Sequence, residues 1–201
     1  MVFDECTSGF RKNYGGLHKL YDVEPDVAMF GKALGNGYAV TAVLGKREVM
    51  LAAEKSFISS TFWTERIGSS AALATLKAMD KEKSWEKITS TGEHINQEWL
   101  KLSKEFELPI TISGLAALTT FSFKSDNALA YKTLITQEML KKGYLAATAV
   151  YVCTAHTPDI IKTYLENLKP IFKTIKECEE GRDVMKLLEG PIAHNGFKRL
   201  N

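Results

Sequence analysis

The sequence predicts an α/β chain, a partial sheet of mixed and mostly parallel strands followed by a smaller α+β unit, and three observations predict it. Short apolar runs at Val2-Phe3 and Val27–Phe30 each stop at charged residues or glycine, as buried strands of a parallel sheet do. From Trp85 to Phe106 the apolar residues recur at three and four, the period of an amphipathic helix. Leu118–Phe123 then places Phe121 and Phe123 on one face of a strand. At 201 residues, 45% hydrophobic and 25% charged, the chain has ordinary globular composition and room for one domain or two small ones.

Val2-Phe3 reads as a buried strand that delivers Asp4 and Glu5 to the carboxyl edge of the sheet, where open α/β folds bind ligands. A carboxylate there can hold a pyridine nitrogen protonated; the same two acids can also cap the next turn or pair with Arg11. Phe10 to Glu24 is polar, with Gly15-Gly16, and reads as a loop or short helix in which His18 is exposed. Val23-Glu24-Pro25-Asp26 is a turn, and Val27–Phe30 a second buried strand. A crossover between parallel strands brings the ends of the two together in one crevice.

The second strand runs into Gly31-Lys32-Ala33-Leu34-Gly35-Asn36-Gly37, a lysine followed by a glycine-rich turn. An amine at a strand end, in a partly dry pocket and near other cations, has its pKa lowered enough to form a Schiff base with an aldehyde cofactor. A solvated turn is the alternative. A phosphate-binding P-loop is set aside, because Gly-Lys here precedes the other glycines and Ala33 stands where a hydroxyl is needed.

Tyr38 to Leu44 reads as a third strand closing at Gly45, and Arg47 to Glu54 as a short helix. Phe57–Phe62 is a hydroxyl-rich loop suited to an anion, although serine and threonine are also common turn material. The helix from Ile67 to about Lys81 carries Ala71, Ala72, Ala74 and Leu76, small enough to pack closely on the sheet or on a second subunit. The charged stretch Asp80 to Ser84 marks a boundary between 1–83 and 84–201.

Beyond the helix that begins at Trp85, Pro109–Ile112 and Leu118–Phe123 read as strands around Gly114. Asp126 or Asn127 caps a helix through Leu134, Ile135, Met139 and Leu140, ended by Gly143. Tyr144 to Cys153 reads as a further strand. Thr157-Pro158-Asp159 opens a last helix with its apolar face at Ile161, Leu165, Leu168, Phe172 and Ile175, kinked by Pro170. Gly190 to Asn201 has no periodicity and packs on another surface or stays mobile.

A net charge of +2, with acids and bases interspersed, gives no support to nucleic-acid binding. Cys6, Cys153 and Cys178 lie far apart, which points to a reducing compartment without a disulfide framework or metal site, and Cys6 reads as a small packing residue. No apolar run reaches the roughly 20 residues of a membrane span, and no signal peptide opens the chain, so the cytoplasm is expected.

Asp4-Glu5 with Gly9-Phe10-Arg11, then Pro25-Asp26 ahead of Gly31-Lys32 and the glycine turn, resembles the second half of the active site of class III pyridoxal-phosphate aminotransferases. The branch it resembles is the glutamate-1-semialdehyde 2,1-aminomutase group. The resemblance implies a fold-type I pyridoxal 5'-phosphate (PLP) dependent transferase, in which Lys32 is catalytic and holds the cofactor as a Schiff base while Asp4 pairs with the pyridine nitrogen. It implies also that Thr61, in Ser60-Thr61-Phe62, binds the cofactor phosphate, across the interface of a homodimer. Trp63–Gly68 departs from the family's Gly-Asn-Pro-like turn and resembles a subset of aminomutase-like members. His156-Thr157 resembles a family motif near a helix start, where capping competes with a substrate-channel role.

By the same resemblance, 1–83 is the C-terminal part of the PLP-binding large domain and 84–201 the small C-terminal domain. The phosphate cup and the aromatic that stacks on the ring would belong to a first half that this sequence lacks. The implied reaction is transfer of an amino group between small-molecule donors and acceptors, or its 1,2-shift. The alternative is a catalytically inactive truncated domain that acts only by association with a partner chain.

Overall fold

A computed structural model describes residues 1–194, and the chain divides into two compact units, Met1–Thr89 and Ser90–Asn201. The first contains a sheet of three strands in the order β1 (Val2–Asp4), β2 (Val27–Phe30), β3 (Ala42–Gly45). β1 and β2 are parallel, with Asp4 opposite Met29, and β3 returns antiparallel with Ala42 opposite Phe30, so the sheet is mixed. α1 (Arg47–Met50) continues into a 3-10 turn at Leu51–Lys55, and α2 (Arg66–Glu82) follows the Phe57–Phe62 loop.

Two strands of this unit differ from expectation. β1 is not buried: Val2 is 62% exposed, because β1 is an edge strand paired only with β2 among the described residues. β3 begins at Ala42 and not at Tyr38, since Asn36 and Gly37 take positive φ (47° and 101°) and the Tyr38 amide donates back to Gly35 O at 3.1 Å. Behind the sheet, Phe10, Ala28, Phe30, Leu34 and Ala72 form the core of this unit. The small residues of α2 serve it as expected: a β-carbon at Gly68 would meet Ala39 O at 2.8 Å.

Glu5 is the buried polar hub of this unit, with 3% of its surface exposed. Ser8 Oγ donates to Oε2, the His18 amide donates to Oε1 at 3.1 Å, and His18 Nδ1 lies 2.9 Å from the same oxygen. Phe3 stacks on the His18 ring, with centroids 5.7 Å apart. The ring packs directly on Gly16, where a β-carbon would sit 2.3 Å from His18 Cε1 and force the histidine to shift. His18 is therefore not the exposed loop histidine expected from the sequence; the buried carboxylate and Phe3 draw it in, leaving its side chain 10% exposed.

The second unit joins α3 (Ser84–Glu105), within which the division between the units falls, to an antiparallel sheet β4 (Ile110–Ser113), β5 (Leu118–Phe123), β6 (Ala149–Tyr151). α4 (Ala128–Lys141) and α5 (Pro158–Glu179) complete it. The predicted aromatic stripe is core: Trp99 is fully buried, 4.6 Å from Phe121 by ring centroids, and its Nε1 donates to Tyr164 Oη at 3.2 Å. Burial pushes the Tyr131 hydroxyl up to about 12, with the bond it donates to Glu179 Oε1 at 2.6 Å adding to the effect.

β6 is shorter than the predicted Tyr144 to Cys153. Tyr144 donates its amide to Met139 O at 3.0 Å, closing the end of α4, and Leu145 is 97% exposed. Thr157 caps α5 by accepting from the Ile160 amide at 3.4 Å, as predicted, and Pro170 lies within the helix without ending it. Asn127 holds the N-cap position of α4 with no side-chain cap; Ser125 Oγ accepts the Asn127 amide at 3.1 Å instead. The described start of the tail packs on α4, where the Ala193 amide donates to Thr133 Oγ1 at 2.9 Å; residues 195–201 lie outside the described residues. No helix of the described residues is long and apolar enough to cross a membrane.

A β-carbon at Gly92 of α3 would meet Ala116 O at 1.8 Å. Gly92→Ala should therefore lose about 1–3 kcal/mol of stability in urea unfolding despite alanine's better helix propensity, because backbone must move. Glu5 has its pKa lowered: burial acts to raise it, and the donors from Ser8, the Leu17 and His18 backbone and the His18 ring outweigh burial. The sign follows: this carboxylate stabilises the fold above the ordinary glutamate range and loses that contribution as pH falls through its lower folded value. Urea midpoints should fall as pH is lowered below about 4, and Glu5→Gln should flatten that acid dependence while costing about 1–3 kcal/mol at pH 7.

Candidate functional site

The parallel pairing of β1 with β2 sets two chain ends side by side. The Glu5 amide donates to Met29 O at 2.9 Å, extending the ladder one residue past Asp4, while β2 ends at Phe30 and Lys32 follows after Gly31. Asp4 and Lys32 thus emerge at the carboxyl ends of adjacent parallel strands, the ligand edge of an α/β sheet. The two are within electrostatic reach. Asp4 has its carboxyl held below the ordinary range, first by the Cys6 amide, which donates to Oδ1 at 3.0 Å, then by the Cys6 side chain, with a further contribution from the Lys32 charge.

Lys32 itself is exposed, so the partly dry pocket expected for it is not built from the described residues. Its backbone is held in a conformation that a side chain resists, φ +42°, by the turn that follows: the Leu34 amide donates to Gly31 O at 2.9 Å and the Asn36 amide to Lys32 O at 3.0 Å. Lys32 Nζ donates to Thr7 Oγ1. A β-carbon at Gly31 would sit 3.5 Å from Cys6 Sγ and 3.4 Å from Thr41 Cγ2, so the turn after β1 and the approach to β3 both flank the lysine. Cys6 is half-buried and its thiol is pushed up, by burial and then by its hydrogen bond to Asp4.

Thr61 is not brought to this pair. It lies in an exposed loop, with neighbours Phe57 (94% exposed), Phe62 and Trp63 turned outward. The same loop contributes Ser60, Phe62 and Trp63 to a shallow cavity of about 370 Å³ shared with Ala39, Val40 and Thr41; Thr61 is not among its lining residues. In the other unit, Thr157 caps α5 and His156 Nδ1 accepts from the Cys153 amide at 3.4 Å, a local structural use of that motif.

Of the two structural readings of the acids, the turn cap is seen, at Asp4. Asp4 caps the turn at Cys6, and Glu5 faces the buried side with Ser8 and His18. Sequence reasoning missed Thr7 as a contact of Lys32 and the Glu5–Ser8–His18 cluster. A hydroxyl three residues after an acid and just before Gly9 is a turn-closing signal that could have found Ser8; His18, thirteen residues away, gives none.

Comparison with known proteins gives the family. The class-III aminotransferase family model matches residues 1–176. The 3-aminobutyryl-CoA aminotransferase of Cloacimonas acidaminovorans is 32% identical over 183 residues, covering 88% of this chain and 44% of that protein. A glutamate-1-semialdehyde 2,1-aminomutase from a Sulfurihydrogenibium species is 28% identical over 192 residues, covering 87% of this chain and 45% of the relative. Among solved structures, the PLP internal aldimine form of the Sphingopyxis sp. MTA144 FumI protein superposes with a TM-score of 0.82 at 23% identity, over 93% of this chain and 46% of that one. A transaminase with PLP bound gives 0.77 at 22% identity, over 90% of this chain and 45% of that one. The chain thus spans less than half the length of the relatives it matches. With paired strand ends carrying Asp4 and Lys32 and a family match over most of its length, the chain belongs to the class III aminotransferases.

Proposed function

We propose that this chain contributes the lysine-bearing part of a PLP-dependent aminotransferase or 2,1-aminomutase site, with Lys32 as the catalytic residue and cofactor anchor. The observation that carries the reading is the placement of Asp4 and Lys32 on adjacent parallel strand ends, with the carboxylate held ionised in part by the lysine's charge. That donor set suits the cofactor: a primary amine for its aldehyde and an ionised carboxylate for its ring nitrogen. When bound, PLP supplies an electron sink for the carbon that loses a proton.

Each protein residue then has a defined task. Lys32 carries the amine that takes the proton from the substrate carbon and returns it, at Nζ. Asp4 keeps the ring nitrogen protonated, its own orientation fixed by the Cys6 amide. Thr61 binds the phosphate from a second copy of the chain in a homodimer; its exposure, and that of Phe57, Phe62 and Trp63, suits a surface that a neighbour covers. Residues 1–83 belong on this reading to the large cofactor domain and 84–201 to the small one. The substrates are small-molecule amino donors and acceptors, transamination and a 1,2-amino shift drawing on the same residues, and the setting is cytoplasmic.

A second reading has its own observation. Among the described residues β1 pairs only with β2, Val2 is 62% exposed and Lys32 is exposed, which suits a catalytically inactive truncated domain that acts only by association with a partner chain.

Incubating the 201-residue chain with PLP, reducing with borohydride and mapping the modified lysine separates the readings. On the first, Lys32 is labelled selectively at low cofactor concentration, Lys32→Ala loses at least tenfold of the label, and Asp4→Asn weakens PLP binding by about tenfold, the loss of one charge-assisted hydrogen bond. Label spread evenly over surface lysines, unchanged in Lys32→Ala, favours the silent chain.

A further inference from the structure

The segment between Asp4 and Gly9 is fixed at both ends, and one side chain on it reaches Lys32 without yet having a role. At the front, Asp4 Oδ1 accepts the Cys6 amide at 3.0 Å. At the back, Ser8 Oγ is bonded to buried Glu5, the Gly9 amide donates to Glu5 O at 2.8 Å, and a β-carbon at Gly9 would meet Glu5 O at 2.7 Å. The half-buried Thr7 sits between these anchors, and its Oγ1 accepts from Lys32 Nζ. The lysine is fixed at its other end by its left-handed backbone, φ +42°, so the direction in which its side chain leaves the chain is set.

An exposed lysine on a four-carbon stem otherwise spreads over many rotamers, and ordering it costs conformational entropy. A hydroxyl at the tip of a rigid turn removes much of that spread. Its chemistry suits a group that must exist both with and without a proton: a hydroxyl accepts from an ammonium and, by rotating, donates to the lone pair of the neutral amine. A carboxylate in its place would hold the ammonium form alone.

We infer that Thr7 is a positioning residue for Lys32, holding Nζ through both protonation states; its part in catalysis rests on the reading of Lys32 as the cofactor anchor. Competitive acetylation of the cofactor-free chain with acetic anhydride, read lysine by lysine by mass spectrometry across pH, tests the positioning itself. PLP labelling with borohydride tests its use. The expected result is that Thr7→Val raises the Lys32 acetylation rate at least threefold relative to the other lysines at each pH and cuts Lys32 labelling by PLP at least fivefold, whereas Thr7→Ser restores both to within twofold.

A Lys32 acetylation profile that overlays in wild type, Thr7→Val and Thr7→Ser overturns the inference, whatever PLP does. A raised Lys32 acetylation rate in Thr7→Val, together with PLP label spread over many lysines in the wild type, supports Thr7 as positioning Lys32 and removes the anchor reading. Selective PLP labelling of Lys32 that Thr7→Val leaves unchanged, with an overlaid profile, keeps the anchor and overturns the role of Thr7.

Discussion

The first unit depends on one buried carboxylate. Glu5 follows directly on β1, and burying its charge is tolerable only because Ser8, the His18 amide and the His18 ring surround it with donors. Those bonds gather the turn after β1 and the distant loop at His18 onto a single point, and Phe3 closes the cluster by stacking on the histidine. Everything that faces Lys32 from the β1 side hangs on this hub. A polar cluster with one charged centre specifies geometry more narrowly than apolar packing would, since hydrogen bonds have directions and dispersion has none.

The neighbours Asp4 and Glu5 illustrate how alternation along a strand divides labour. Side chains one residue apart point to opposite sides, so the same chain end sends one carboxylate outward beside Lys32 and the other inward to build the support. Both are held ionised, the first mainly by the Cys6 amide and the second by donors that overcome its burial. The outward acid remains available to a ligand because the inward one carries the structural burden.

Much of this was legible in the sequence, and the parts that were not share a cause. Val27–Phe30, Leu118–Phe123, the Trp85–Phe106 periodicity and the Thr157-Pro158 cap are local patterns, and each appears as an element where the pattern placed it. The convergence of Asp4 and Lys32 also followed, since parallel strands joined by a crossover end on the same edge. The exposure of β1 and of Lys32 was not recoverable, because burial is decided by what lies across the sheet edge rather than by the strand's own residues. His18 failed for a related reason: its partner Glu5 is thirteen positions away, and nothing in either residue's neighbourhood announces the pair. The shortening of β6 and the unused cap at Asn127 came from competition for backbone groups, with Met139 O taking the Tyr144 amide and Ser125 Oγ taking the Asn127 amide.

The left-handed backbone at Lys32 has a bearing on how the chain can evolve. Glycine adopts φ +42° without penalty, whereas a residue with a β-carbon gives up about 1 kcal/mol there. Drift toward stability alone would replace Lys32 by glycine, extending the run that already holds Gly31, Gly35 and Gly37. On the proposed role of Lys32, a lineage released from selection on that chemistry should therefore lose this lysine early, by a change that relieves the backbone, so that the identity of residue 32 records whether the amine is still in use.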